Sequence, residues 1–287
     1  MKPFKLAGAI PALALVGVLG MSTDVQASTL VVDRGLPNQN FNRDAGADRS
    51  NIAWAFTNAG FSEKWHSGDT FSLPATPDPS RPSWRIDKLT TWFIAGAPGV
   101  NADPLQNAFS DISLFLGADS GVGGTIDQVA SSAISGDSTS APNVSISKVT
   151  YPGTTLDYQR GNGELVQIWQ ADFTDLGTFS AGDYMFSVAG LPDDTLFFNH
   201  GSNAALGGVP SDGADGLYWA LAGSATDPSK TIVQSFDSNG NGWDKSSDLN
   251  VQVFATAVPL PAGGILLLTA LGGLGGAGAL RRRRKAA

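Results

Sequence analysis

The chain has 287 residues, a formal net charge of −8, 35 glycines, 16 prolines, two histidines and no cysteine. This composition excludes disulfide stapling, argues against a zinc centre, and lacks the basic footprint that nucleic-acid binding requires. The acids are almost all aspartate, with Glu63 and Glu164 the only glutamates; aspartate favours turns where glutamate favours helices, so strands joined by many turns are expected.

The first element in chain order is a targeting segment. Lys2 and Lys5 precede an apolar stretch over 6–21, and Val25-Gln26-Ala27 sets small residues at the two positions a signal peptidase reads. Residues 1–27 are thus expected to be a secretory signal peptide, cut between Ala27 and Ser28 by signal peptidase after engagement of the secretion machinery.

The body, 28–257, is long enough to bury its own core as one domain. Strands are predicted at 29–33, 84–94, 112–116, 144–149, 165–170, 184–188, 195–198, 217–221, 232–236 and 249–254. In 84–94 the alternation groups Trp84, Ile86 and Trp92 on one face, and in 144–149 it groups Val144 with Ile146. Four prolines make 74–82 a rigid loop. Residues 102–110 hold at most a short helical turn, and 117–142, rich in Gly, Ser, Thr and Ala, read as a long surface loop or one weak strand. Short, regularly spaced strands of this kind build an all-β fold, an antiparallel β-sandwich or jelly-roll-like body. The stretch from Leu176 to Val188, which contains Ser-Ala-Gly-Asp-Tyr-Met-Phe-Ser-Val, resembles a strand start common in bacterial extracellular β-sandwich domains.

The strongest candidate for a ligand site is the run from Asp237 to Asp248. Asp237, Asn239, Asn241, the Trp243 carbonyl and Asp248 fall at positions 1, 3, 5, 7 and 12 of a calcium loop, with Gly242 at the sharp turn. Hard oxygen donors converging round a glycine-permitted turn suit a hard cation, so calcium is the cofactor this loop would hold. Lys245 at position 9 and strand-like flanks favour the alternative, a strand-connecting turn. Asp44 with Asp48, and Asp212 with Asp215, form further acidic turns that read as solvated loops. His66 and His200 are the only imidazoles, and no Gly-x-Ser-x-Gly elbow accompanies them. Trp65, Trp84, Trp92, Trp169 and Trp219 read as core, with a sugar-stacking platform as the alternative.

The chain's final elements occupy 258–287. Val258-Pro259-Leu260-Pro261-Ala262 is followed by an uncharged run over 263–280, then by Arg281, Arg282, Arg283, Arg284 and Lys285. Eighteen residues reach about 27 Å as a helix, enough for a hydrocarbon core of about 30 Å, so 263–280 is expected to be a single transmembrane helix. The basic cluster leaves its own side cytoplasmic and the body outside. Seven glycines in the run weaken the helix, as befits a segment that a membrane enzyme handles. Motif, run and charges together resemble the VPLPA-type C-terminal sorting signal, a variant of the PEP-CTERM class read by exosortases in Gram-negative bacteria. The resemblance implies an exosortase-like membrane processing enzyme as partner, with transfer to the cell surface or extracellular matrix. It covers only the tail.

Removing both ends takes seven of the 18 basic residues and one of the 26 acidic ones, which leaves the exported body near −14. The function expected is therefore that of a sorted, non-catalytic surface or matrix protein with a structural or adhesive role. The second reading is a carbohydrate-binding module for exopolysaccharide that uses calcium; the third is a secreted hydrolase. Calorimetric titration of the body with Ca²⁺ separates the two readings of the Asp237 loop: a cation site gives binding heat and a rise in Tm, and a plain turn gives neither.

Overall fold

The computed structural model describes residues 27–34, 53–55, 65–95, 104–121, 123–151, 154–155, 157–159, 165–190, 197–199, 201–202, 218–222, 230–236 and 248–259. They form strands β1 (Thr29–Asp33), β2 (Ala53–Ala55), β3 (Trp65–Leu73), β4 (Ser83–Ala95), β5 (Asp111–Ala118), β6 (Thr125–Ser135), β7 (Ser138–Thr139), β8 (Val144–Lys148), β9 (Thr150–Tyr151) and β10 (Thr154–Thr155). Beyond these lie β11 (Asp157–Gln159), β12 (Leu165–Ser180), β13 (Gly182–Gly190), β14 (Phe197–Asn199), β15 (Gly201–Ser202), β16 (Tyr218–Ala222), β17 (Lys230–Phe236), β18 (Asp248–Leu249) and β19 (Val251–Val258). The one helical element among the described residues is a 3-10 turn, Leu105–Asn107. No described helix is long and apolar enough to cross a membrane; the expected signal peptide up to residue 26 and the expected transmembrane helix 263–280 lie outside the described residues.

The described residues build an all-β fold, in two main antiparallel sheets. The first runs β1-β19-β4-β12-β11, with β8 also on β12, β14 also on β4, and β2 on β14. The second runs β17-β16-β3-β13-β5-β6-β7, and β17 also pairs with β6. That last pairing joins Lys230 to Asp127 and Ile232 to Thr125, so six strands of the second sheet close in a ring. Pairs β9–β10 and β15–β18 are separate two-stranded sheets.

Two bulges decide which side chains reach the core. The register of β19 on β4 shifts between Phe254 and Ala255, and that of β12 on β4 shifts between Thr174 and Gly177. Asp175 and Gly177, at φ 58° and 99°, supply the left-handed turns that the second shift needs. A bulge reverses the parity of alternation. Trp84 and Ile86 point inward before it, and Leu89 and Phe93 after it, all within one core cluster. Trp92 therefore lies on the opposite face from Phe93, which corrects its expected grouping with Trp84 and Ile86. Val144 and Ile146 do share the core face.

The region 117–142 is more ordered than a surface loop. It contains β6, an 11-residue strand whose alternating burial places Ile126, Ala130, Ser132 and Ile134 inside. Gly117 lets the neighbouring backbone approach: a Cβ there would stand 2.7 Å from the Thr125 carbonyl oxygen. The proline loop 74–82 is present, held by Asp78, whose carboxylate accepts from the Ser80 N–H at 2.9 Å.

Both faces of β13 are buried. Phe186 and Val188 point one way, Met185, Ser187 and Ala189 the other, and all five are 5% exposed or less. A strand covered on both faces reads as an unbroken buried run; one face meets the first sheet and the other the inside of the strand ring.

Strand β3 went unpredicted because an inward position carries a charge. Asp69 is fully buried and pairs with Arg34, also fully buried, at 2.7 Å from Nη1 to Oδ2. Arg34 Nη2 donates to the Thr70 carbonyl. Asp69 accepts from the N–H groups of Thr70 and Leu249, each at 2.7 Å. Asn250 Nδ2 donates to the Arg34 carbonyl at 3.0 Å, and Thr91 Oγ1 to the Asn250 carbonyl at 3.0 Å. The pair thus bolts the end of β1, in the first sheet, to β3, in the second. Removing one partner of a buried pair strands the other charge and typically costs about 3–5 kcal/mol, whereas an apolar replacement of both is far milder. Arg34→Met and Asp69→Leu are each expected to lose about 3–5 kcal/mol in urea unfolding, with much of the loss recovered in the double variant. Single losses below about 1 kcal/mol would show that the pair does not join the sheets energetically.

Candidate functional site

The most organised polar surface is the outward face of the first sheet. Alternation on β19, β4, β12 and β8 brings Gln252, Thr90, Asp172 and Ser145 onto one cross-strand rung. Phe254, Lys88 and Thr174 form the next, and Thr256, Arg85 and Thr178 the one beyond the bulge. Leu30 of β1 stands beside Phe254 and is among the exposed large hydrophobic side chains.

These groups satisfy one another. Asp172 accepts from Thr90 Oγ1 at 2.5 Å and from Gln170 Nε2 at 3.1 Å, and lies 3.8 Å from the Lys88 ammonium. The Lys88 ammonium also sits 4.7 Å from the centre of the Phe254 ring. Asp87 accepts from Arg85 Nε at 2.7 Å and from Thr256 Oγ1 at 2.6 Å. Burial pushes the Asp87 carboxyl up, but hydrogen bonds from Thr256, Arg85 and Ser28, with the Arg85 charge, outweigh it and hold the carboxyl below the ordinary value. Asp33 of β1, opposite Gln252, accepts from Gln252 Nε2 at 3.0 Å, so three carboxylates on this face stand against two cations. The face offers a flat hydrogen-bonding array with one half-buried aromatic ring, not a nucleophile set beside a base.

Two more carboxylates are depressed at loops. At Asp78 the cause is hydrogen bonding from the Ser80 hydroxyl and N–H. At Asp137, burial acts upward and is outweighed by the Leu105 N–H and by Lys148, which lies 3.1 Å away. The same Lys148 ammonium stands 5.2 Å from the Trp169 ring centre.

The sequence-predicted site residues are not brought together. Of the calcium-loop residues, Asp237, Asn239, Asn241 and Trp243 lie outside the described residues, and Asp248 is placed only by its backbone, in β18 opposite Ser202. No group of three or more metal-ligating side chains occurs among the described residues. His66 is placed by its backbone opposite Ala220, while His200 and the acidic turns of Asp44, Asp48, Asp212 and Asp215 lie outside the description. Trp84, Trp92 and Trp169 are buried, at 4%, 1% and 1% exposure, so none of these three offers a face to a sugar. Ser28 meets Asp87, and Val258 ends β19 opposite Ser83; Leu260, Pro261, Ala262 and Arg281 to Lys285 lie beyond the described residues. Sequence reasoning missed Arg34 and Asp69, whose only signal was an aspartate at a position where a buried strand would carry an apolar residue.

Comparison of the chain with protein-family models, curated proteins and solved structures found no match.

The depressed carboxylates set a direction for acid stability. A folded-state pKa below the unfolded one adds stability that is present above the unfolded value and is lost as pH falls through the folded one. Melting temperature should therefore fall as pH drops below the ordinary carboxylate range, and Asp87→Asn should flatten that fall. An unchanged acid slope in the variant would refute the assignment to Asp87.

Proposed function

We propose that this chain is an exported protein of a Gram-negative bacterium, delivered by an exosortase-like system to the cell surface or extracellular matrix, where its body has a non-catalytic structural or adhesive role. The observation that carries this reading is the tripartite tail: Val258 to Ala262, the uncharged run 263–280 and the cluster Arg281 to Lys285. The leader ending at Ala27 agrees with it.

The body supports the same reading indirectly. A cysteine-free all-β domain with a shared core between two sheets needs no redox chemistry to stay folded outside the cell. A β-sandwich of jelly-roll type is the finer architecture proposed for it. The cross-linked polar lattice on the outward face suits contact with hydrated polymer. Exopolysaccharide recognition, the second reading, is favoured by that lattice and by the Phe254 ring, since Trp84, Trp92 and Trp169 are occupied in packing.

Intact-mass analysis of the protein from its native host tests the main reading. The expected product begins at Ser28 and has lost residues 281–287. Recovery of a surface-exposed product that still carries Arg281 to Lys285 would refute sorting by cleavage.

A further inference from the structure

From the pairing of β1 with β19, and resting on the export reading above, we infer that one end of the body is its membrane-facing surface. Both apolar segments leave from that end, and its partners are the lipid headgroup layer and the enzymes that cut there. Thr29 is opposite Ala255 and Leu30 opposite Phe254, antiparallel. The register carries Ala27 and Ser28 toward the same end as Ala257 and Val258, on strands about 4.8 Å apart. Ser28 is tied to the same carboxylate, Asp87, that holds Thr256. The two expected cleavage regions, at Ala27/Ser28 and near Val258 to Ala262, therefore emerge side by side.

Chain length then fixes how near the membrane this end must be. Val258 is locked in β19 opposite Ser83, and four residues separate it from the uncharged run that starts at Gly263. At full extension those five steps cover at most about 18 Å. The headgroup layer takes up about 5–8 Å of that on one side of a bilayer. The end of the body thus stays within about 10–13 Å of the headgroup surface while the tail is in the membrane.

The surface presented there can be named. Ser83 stands opposite both Val258 and Ser180, so the loop 74–82 and the corner Ser180–Gly182 lie at this end. Asp183 is hydrogen-bonded to Ser72 at 2.5 Å and to the Asp119 N–H at 2.9 Å, which adds the start of the β5–β6 loop. Asp78, Asp119 and Asp183 outnumber Arg81 among its described charges. Such a surface is not drawn to anionic lipid; the covalent segments hold it there.

The absence of native cysteine makes the test direct. In full-length chain reconstituted into liposomes, Ser80→Cys and Ser180→Cys carry a donor fluorophore at the inferred membrane-facing end. Ser135→Cys and Ser138→Cys carry it at the other, and the acceptor is on lipid headgroups. The 13-residue β4 separates the ends by about 40 Å. Energy transfer from the first two sites should exceed that from the second two at least about threefold. Flotation with the liposomes combined with equal or reversed transfer would overturn this inference and leave the anchoring reading intact. Failure to float at all would overturn both.

Discussion

Two opposite charges removed from water hold the halves of this molecule in one arrangement. Arg34 and Asp69 are fully buried and 2.7 Å apart, and backbone N–H groups of Thr70 and Leu249 complete the shell of the carboxylate. Such a pair adds little stability over a well-packed apolar substitute, because desolvation offsets most of the attraction. Its effect is on geometry. Any other placement of β1 relative to β3 leaves two uncompensated charges in a low-dielectric interior, so the first sheet can sit on the second in one register. The segment 248–251 is caught in the same network, through Leu249, Asn250 and the Arg34 N–H on the Val251 carbonyl.

That constraint makes the rest of the packing intelligible. With the two sheets registered, the inner face of the first carries Trp84, Ile86, Leu89, Phe93, Trp169 and Phe173, and the second answers with Phe71, Leu114, Leu116 and Phe186. The bulges in β12 and β4 keep those inward sets continuous along strands otherwise too long to stay in phase with a twisted partner. At the corner where the chain leaves β12 for β13, Gly182 takes a φ of 152° and the Tyr184 hydroxyl donates to the Ser180 carbonyl at 2.9 Å. This tyrosine fastens the crossing between sheets, in the manner of the tyrosine corner of other two-sheet folds. The polar lattice outside is the complement of the same alternation. Along β4 and β19 the inward apolar residues alternate with Lys88, Thr90, Gln252 and Thr256, whose side chains bond to one another or to carboxylates on the same face.

Strand existence was legible wherever burial alternates with exposure in simple steps. The inward pair Val144 and Ile146 is such a case, because period-two patterning needs no long-range information. Strand β3 was not: Trp65 to Leu73 holds a glycine and an aspartate where a core strand should be apolar, and the cation that rescues the aspartate is 35 residues away. The face of Trp92 was not legible either, because a bulge is set by the partner strand and leaves no mark on local alternation. Strand β6 hid in its small residues, Ala130 and Ser132, which fill narrow inward positions without looking hydrophobic.

By itself the sequence determined class and stapling: aspartate-rich turns between short apolar alternations, and no cysteine. These are local or compositional properties, so no folding calculation is needed to see them. Tertiary structure decided what is non-local. It chose which aspartate is buried against which arginine, and which tryptophans turn from solvent. It also decided that the first and last strands of the body lie side by side. Strand order and register depend on contacts between residues far apart in the chain, and no pattern within one strand encodes its neighbour.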